Sequence, residues 1–329
     1  MKLLRHERIV LENSFWLSRI AFNRALSSVQ FIAFLIAFLQ NSALLGTDGL
    51  TPAVQTMQLR HEYFKTPAEF YDFNNNPLTL FWFIEANDLN LALLAFLGMI
   101  LSSYIVFRGQ SNIIINFMLW ILYLSIVNIG NVWYSFGWES QLLETTFLSM
   151  LLVPLFSLDR FPKWTKTSFV GIWGNKWLLF RIMIGAGLIK IRSDPCWTDL
   201  TCMNYHYLTQ PVPGPTSTLY HSTPEPFHQF ETIVNHIVEL ILPWLLLIPQ
   251  RDIRHFGALC QIGFQFILIS SGNLSYLNWL TIVPAILCLD DCFLASLGLF
   301  SREDVYAAYQ AEKKYRYVSL YILLLFIIL

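Results

Sequence analysis

The stretch GAGLIKIRSDPCWTDLTCMNYHY, residues 185–207, decides the fold, because an apolar segment runs there directly into a charged turn that contains two cysteines. An apolar run such as the one that ends at Ile191 is typical of a helix inside a bilayer, whereas Arg192 and Asp194 belong at or beyond the bilayer surface. The stretch therefore predicts a membrane helix followed by a loop outside the membrane.

The composition of the whole chain agrees with a membrane protein. Of the 329 residues, 55% are hydrophobic, 16% are aromatic and only 13% are charged, whereas soluble domains carry about 25% charged residues. A helix needs about 20 mostly apolar residues to cross a bilayer. We predict an all-α, polytopic transmembrane bundle with about eight or nine membrane segments. The candidate segments are residues 25–45, 89–107, 113–133, 136–156, 170–191, 233–248, 256–270, 277–289 and 317–329.

The orientation follows from lysine and arginine, which are enriched in short cytosolic loops. If nine segments alternate from a cytosolic N-terminus, 16 of the 21 basic residues lie on the cytosolic side, four lie on the other side, and Arg181 lies inside a segment. We therefore predict one membrane domain, 1–329. Its cytosolic parts are residues 1–24, 157–176 and 290–316, and its two large non-cytosolic loops are residues 46–88 and 192–231.

Cys196 and Cys202 lie six residues apart in the second non-cytosolic loop. A local disulfide is the first interpretation, because the loop faces a compartment that would be oxidising. The second interpretation is a redox-active pair that exchanges disulfides with a client protein, which requires an exposed thiol of low pKa. The spacing differs from the C-x-x-C of thioredoxin-like enzymes.

Charged and aromatic residues surround these cysteines and form a candidate loop signature. Its members are Lys190, Arg192, Asp194, Trp197 and Asp199. In one interpretation, Lys190 and Arg192 anchor the helix end at the membrane interface and Arg192 pairs with Asp194. In the other, Lys190 is a desolvated base or an anion-binding group.

Ionisable residues also occur within the predicted segments, namely Glu139, Glu144, His236 and Glu239. Such residues are costly in a bilayer and are functional candidates, but polar side chains also join helices to one another. A transporter would need them to form a continuous polar path. We expect no metal site, because a single H-x-x-E without companion ligands matches none. We expect Asp290 and Asp291, just after the eighth segment, to lie in cytosolic water.

Several function classes are excluded by the sequence. It contains no Walker loop, no G-x-G-x-x-G and no basic stripe, and its net charge is −1, so we expect no nucleic-acid partner and no cofactor. No Ser/His/Asp grouping has a recognisable setting. The second non-cytosolic loop is instead rich in aromatic side chains, which either bind a partner protein or lie in the membrane interface. They are Trp197, Tyr205, Tyr207, Tyr220, Phe227 and Phe230.

Four blocks of the sequence together resemble the lipase maturation factors. They are NVWYSFGWESQLLETTFL (131–148), RIMIGAGLIKIRSDPCWTDLTCMNYHYLTQPVPGP (181–215), FHQFETIVNHIVEL (227–240) and ISSGNLSYLNWLTIVPAILCLDD (269–291). The resemblance implies a multi-pass protein of the endoplasmic-reticulum membrane that helps secreted homodimeric lipases, such as lipoprotein lipase, to fold and assemble into dimers. It implies lipases and the folding and redox machinery of that organelle as partners, the lumen as the side that the cysteine loop faces, and no enzyme activity.

The resemblance leaves two further expectations. Members of the family carry a sizeable lumenal C-terminal domain after the last membrane segment, and we expect this chain, which ends at Leu329, to lack it. There is also a fainter similarity to the membrane domain of vitamin K-dependent carboxylases, in which a lysine near a helix end acts as a base. Lys190 is the residue that would correspond, so a membrane-embedded enzyme is the alternative function, next to a redox factor acting through Cys196 and Cys202.

Overall fold

A computed structural model describes residues 3–63, 78–162, 165–210 and 212–328 of the chain. Over these residues the regular structure is helical, with no β-strand. The chain divides into two compact units, one of residues 23–160 and one of residues 1–22 and 161–329. The all-α prediction is therefore confirmed for the part of the chain that the structure describes.

The unit of residues 23–160 consists of helices. Their sequences are mostly apolar, and capping residues mark some of their ends. Its helices are most of α2 (Trp16–Leu45), α3 (Ala53–Tyr63), α4 (Asp88–Arg108), α5 (Ile113–Ile129) and α6 (Gly137–Met150). The Asn87 side chain accepts a hydrogen bond from the Asn90 N–H at the start of α4, and Gly109 ends that helix with a positive φ of 67°, which glycine adopts without steric cost.

Close packing holds α2, α4 and α5 together within this unit. The Phe34 ring of α2 meets the Tyr123 ring of α5 edge to face at 5.3 Å. Gly98 of α4 leaves the room for Phe34, since a Cβ there would lie 2.4 Å from the ring. These helices therefore pack through an aromatic core that a glycine permits.

The other unit contains the long helix of the opening sequence and the helices after it. They are α1 (Arg5–Leu11), the start of α2, α7 (Phe169–Arg192), α8 (Pro195–Thr198), α9 (Met203–His206), α10 (Ser217–His221), α11 (Glu225–His236), α12 (Pro243–Leu247), α13 (Arg251–Ser271), α14 (Leu277–Ile286), α15 (Asp291–Ser296) and α16 (Arg302–Ile328). A π-helical segment, Ile237–Ile241, joins α11 to α12. The core contains Leu179 and Met183 of α7, packed with Val238, Leu246 and Phe264.

Four stretches are long and apolar enough to cross a membrane among the described residues. They are Trp16–Leu45, Asp88–Arg108, Glu225–Leu247 and Arg251–Ser271. Ile113–Ile129 and Leu277–Ile286 are shorter apolar helices. A polytopic membrane protein is confirmed, whereas the number of eight or nine segments stays a prediction. Helix α7 is 24 residues long and contains Lys176, Arg181, Lys190 and Arg192, and it is not one of these four stretches.

The expectation that Asp290 and Asp291 lie in water is wrong, because both are 0% exposed. The Asp291 carboxylate accepts hydrogen bonds from the backbone N–H groups of Trp16 at 2.8 Å and Ser18 at 3.0 Å, at the start of α2. Asp290 binds the Arg251 guanidinium, with Nε at 2.5 Å and a second nitrogen at 3.2 Å. A carboxylate at a helix N-terminus satisfies N–H groups that the helix leaves free. The partners are distant in sequence, so local pattern could not reveal them.

Candidate functional site

The disulfide hairpin, residues 193–207, begins where α7 ends. Cys196 and Cys202 are bonded, with their Cα atoms 4.7 Å apart. The Asp194 carboxylate accepts a 2.8 Å hydrogen bond from the Cys196 N–H and caps α8. The Cys196 carbonyl accepts hydrogen bonds from the N–H groups of Thr201 at 2.8 Å and Cys202 at 3.1 Å. The hairpin is therefore closed by the disulfide, a helix cap and backbone hydrogen bonds together.

Lys190 is the centre of a polar cluster beneath this hairpin. Its ammonium donates to Glu239 Oε1 at 2.6 Å and to Asn235 Oδ1 at 2.9 Å. Asn235 Nδ2 in turn donates to Glu239 Oε2 at 3.1 Å. The side chains of Lys190 and Glu239 are 24% and 4% exposed. The ammonium also lies 5.0 Å from the centroid of the Trp197 ring, so a cation–π contact connects the hairpin to α7.

A π-helical segment positions Glu239. The Leu242 N–H reaches back five residues to the Ile237 carbonyl, and the next residue, Pro243, has no N–H to offer the Val238 carbonyl. The Gln261 side chain of α13 donates to that carbonyl at 2.8 Å. Single π turns inside helices are rare and are frequent at functional sites. Pro243 and Gln261 thus account for the irregular backbone that presents Glu239 to Lys190.

A close contact between helices fixes the distance from α7 to this segment. Gly187 lies one turn before Lys190, and a Cβ on it would stand 2.6 Å from Leu240 Cδ2 and 3.1 Å from the Cβ of Glu239. Only a residue without a side chain allows such an approach. Gly187 therefore sets the separation across which Lys190 and Glu239 meet.

Histidines and tyrosines connect the hairpin to α11. His236 Nε2 lies 3.0 Å from the Trp197 carbonyl, and the Tyr207 hydroxyl donates to Glu231 Oε1 at 2.9 Å. Burial, with the Lys190 charge as a second cause, lowers the pKa of His206, so this imidazole favours its neutral form. Burial first and the Glu231 contact second raise the pKa of Tyr207, which keeps its hydroxyl a donor.

Comparison of the sequence with known proteins identifies the family of this chain. Residues 17–296 match the family model described as the lipase maturation factor transmembrane domain. The chain belongs to the lipase maturation factor family. Mouse lipase maturation factor 1 is 51% identical over 286 residues, which is 86% of this chain and 50% of the mouse protein. Human lipase maturation factor 1 is 50% identical over the same shares of each chain.

More distant members of the family match as well. Xenopus laevis lipase maturation factor 2 is 32% identical over 286 residues, which is 85% of this chain and 40% of that protein. The chain spans about half the length of the lipase maturation factor 1 relatives that it matches. No solved structure matches it. The family's name indicates a maturation factor rather than an enzyme.

The structure places the predicted site residues of this family member in different settings. Lys190 and Trp197 contact each other, and they also contact Glu239 and His236, which lie about 40 to 50 residues later in the sequence. Arg192 and Asp199 lie exposed at the surface, and Asp194 caps α8. The proposed Arg192–Asp194 pair is not found among the described residues, where Asp194 Oδ1 accepts the hydrogen bond from the Cys196 N–H.

The two remaining acidic candidates lie on α6, in the other unit. Glu139 is buried, accepts a hydrogen bond from the Tyr123 hydroxyl and accepts another from Trp138 Nε1 at 2.9 Å. Glu144 is partly buried. The contacts of Glu139 are those of a residue that joins neighbouring helices. In the described ranges, no group of three or more His, Cys, Asp or Glu is arranged to hold a metal ion.

Three site residues were not singled out from the sequence, although a signal for them exists. Asn235 completes the Lys190 cluster, Glu231 binds Tyr207, and the buried His228 contacts Asn204 Oδ1 at 2.7 Å. With Glu239, these positions recur every three or four residues, which places them on one face of a helix. Polar residues that recur with this spacing are the pattern that could have indicated them.

A group of exposed apolar side chains occurs between residues 205 and 230. We call it the loop patch, and it comprises Tyr205, Leu208, Leu219, Phe227 and Phe230. Leu219 is 68% exposed and Tyr205 is 66% exposed. Tyr207, expected to belong to this surface, is buried instead and stacks on Tyr220 at 5.5 Å.

Proposed function

We propose that this chain is a maturation factor of the endoplasmic-reticulum membrane that helps secreted homodimeric lipases, of the lipoprotein lipase class, to fold and assemble. The observation that carries the proposal is the match of residues 17–296 to the lipase maturation factor transmembrane domain. The Cys196–Cys202 disulfide supports a lumenal position for the hairpin, since disulfides persist in the secretory pathway and not in the cytosol. The N-terminus would then be cytosolic.

The loop patch is the proposed surface for a partly folded client. Exposed apolar residues that lie close together mark sites of protein or membrane contact, and aromatic anchors contribute most to such interfaces. Here the patch is supported by the disulfide hairpin and by α11, which the Lys190 cluster joins to α7. A client surface held in this way requires little ordering when the client binds.

The disulfide has a structural role in this proposal. Cys202 is buried at 7% exposed, and thiol exchange requires access to the attacked sulfur. Contact with the redox machinery of the organelle would then serve to form the bond, not to cycle it. The carboxylase-like role of Lys190 as a base stays a prediction, and the bonds of Lys190 to Glu239 and Asn235 give it no added support.

Lipase rescue tests the proposal. Cells that lack their own lipase maturation factors and express lipoprotein lipase would receive this chain, or a chimera of it with the remaining half of mouse lipase maturation factor 1. We expect secreted lipase activity and the dimer fraction in sedimentation to rise above the empty vector. A glycosylation acceptor inserted after Gln210, modified only in the lumen, reports that the chain is inserted in the proposed direction.

The loop patch has a matched control. Leu208→Ser with Leu219→Ser should abolish most of the rescue, because both side chains lie in the patch and are exposed. Leu50→Ser with Leu59→Ser removes two leucines that are at least as exposed from the other predicted lumenal loop and should leave rescue unchanged. No rescue by either the chain or the chimera, despite correct insertion, would overturn the proposed function. Equal rescue by both leucine pairs would overturn the role of the patch.

A further inference from the structure

A second site lies at the opposite end of α7 from Lys190. A cavity of about 530 Å³ opens between residues before α2, the start of α7, the end of α12 and the start of α13. Its described lining includes the cations Lys166, Lys176 and Arg254 and contains no carboxylate. Apolar side chains such as Phe169, Ile172 and Trp173 form much of the remainder. This volume is within the range of sites that hold small amphiphilic ligands, about 300–1,000 Å³.

Lys176 is the unusual member of this lining. It is 5% exposed, yet within the part of the chain that the structure describes its ammonium makes no hydrogen bond and no ion pair. The ammonium lies over the Phe15 ring, whose centroid is 5.3 Å away. A buried ammonium without an anionic partner is unfavourable. The site therefore holds a buried ammonium that no described carboxylate binds.

Arg254 adds a second positive charge at the same place. It is 4% exposed, and its guanidinium carbon lies 5.9 Å from the centroid of the same Phe15 ring. Its nitrogens donate to the carbonyls of Cys288 at 2.9 Å and Pro249 at 3.0 Å and to the side chain of Asn13 at 3.0 Å. These acceptors are uncharged, so they satisfy its hydrogen bonds without neutralising its charge.

The nearby carboxylates are held by other partners, and Asp291 accepts hydrogen bonds from the backbone N–H groups at the start of α2. Asp290 forms its ion pair with Arg251. Glu312 binds the Lys166 ammonium at 2.8 Å and accepts a hydrogen bond from Trp16 Nε1 at 3.1 Å. Lys166 is thus paired, whereas Lys176 and Arg254 face one ring with no carboxylate between them. Two like charges in a region of low dielectric attract an anion strongly.

We propose that this cavity binds the phosphate headgroup of an anionic membrane lipid, with Lys176 and Arg254 facing the phosphate and the apolar side chains of α7 lining the acyl chains. The chemistry of the lining favours an amphiphile over a free anion, because the cations and the apolar residues share one cavity. Basic pockets between membrane helices on the cytosolic side bind anionic headgroups, and residues 157–176 are on the predicted cytosolic side.

Quenching by brominated lipids tests the proposal with the purified full chain. Trp173 lines the cavity, so the fluorescence that Trp173→Phe removes reports occupancy. Phosphatidylglycerol with brominated acyl chains should quench this component at a mole fraction at least five times lower than brominated phosphatidylcholine does. Lys176→Met should raise the required mole fraction about tenfold, the effect of losing one charge-assisted contact, whereas Lys176→Arg should not.

The controls separate the alternatives. Lys314→Met removes an exposed lysine from a predicted cytosolic segment outside the cavity. This variant should need the same mole fraction of brominated phosphatidylglycerol for quenching as the unchanged chain. Equal quenching by the two lipids overturns the proposal, and so does unchanged titration of Lys176→Met. Displacement of the lipid by glycerol phosphate at equal concentration would show a free-anion site instead. If Lys176→Met does not fold, the preference of the unchanged chain for phosphatidylglycerol over phosphatidylcholine tests the proposal by itself. No lipase is present, so failure here leaves the proposed function untouched.

Discussion

Lys190 and Lys176 lie on the same helix, α7, and have opposite electrostatic settings. They are fourteen residues apart, which is about 21 Å along the helix axis. Each ammonium lies near one aromatic ring, at 5.0 Å from Trp197 and at 5.3 Å from Phe15. Lys190 also has a carboxylate and an amide as partners, whereas Lys176 has neither among the described residues.

The contrast between the two lysines shows at which end of α7 the chain itself supplies an anionic partner for a buried ammonium. At the Lys190 end, the π-helical segment and Gly187 bring Glu239 within 2.6 Å, so we expect the cluster to contribute to stability. At the Lys176 end, the described chain offers only ring faces and neutral acceptors, so we expect an external anion to complete the site. A lysine on a membrane helix can therefore be structural or ligand-binding, and its partners decide between the two.

The largest expected effect compares the two lysines directly. Lys190→Met should lower the free energy of unfolding by about 3 kcal/mol, because it leaves the buried Glu239 carboxylate without its cation, and Lys190 itself is partly exposed. Lys176→Met should change it by less than about 1 kcal/mol, because no described ion pair is lost. Denaturant unfolding in detergent measures both.

A double variant sharpens this prediction. Lys190→Met with Glu239→Leu removes both charges and should recover part of the loss, since an apolar pair often replaces a buried ion pair at little cost. Glu225→Gln, at an exposed position in the first turn of α11, is the control for a change of net charge. Equal losses for Lys176→Met and Lys190→Met would contradict the distinction between the two ends of α7.

The next effect concerns the disulfide that supports Trp197 above Lys190. Replacing Cys196 and Cys202 by serine should cost about 2 kcal/mol, as chain entropy predicts for a short loop. Cys260→Ala removes a cysteine that forms no disulfide and should cost less. Unfolding of the two variants in the same detergent measures the difference. A serine pair as stable as the unchanged chain would mean that the cap and backbone bonds hold the hairpin without the disulfide.

The smallest effect comes from two neighbouring glycines of α7. Gly187→Ala should cost about 1–2 kcal/mol, because its Cβ would stand 2.6 Å from Leu240 and would push the π-helical segment away from Lys190. Gly185→Ala meets nothing within 4 Å and should be neutral or stabilise the helix slightly. Melting temperatures of the two single variants provide the comparison. A loss shared by both would indicate helix propensity and not the close approach.

Sequence reasoning was most effective where the signal is local. The apolar runs predicted helices such as α4 and α13, because crossing a bilayer demands both length and composition. The spacing of Cys196 and Cys202 predicted a bond within one short loop. The prediction from sequence was wrong for Asp290 and Asp291, which we expected in cytosolic water. Their partners Arg251 and Trp16 are 39 and 275 residues away in the sequence.

The sequence by itself determined that this is a helical membrane protein of the lipase maturation factor family with a cysteine-closed loop, since composition, segment length and motif are properties of short stretches. Which charges are neutralised depends on contacts between residues that are distant in sequence. Lys190, Lys176 and Asp291 look alike as isolated polar residues in an apolar chain. Their roles follow from partners that folding brings within hydrogen-bond distance, and electrostatic energy in a medium of low dielectric depends on that distance.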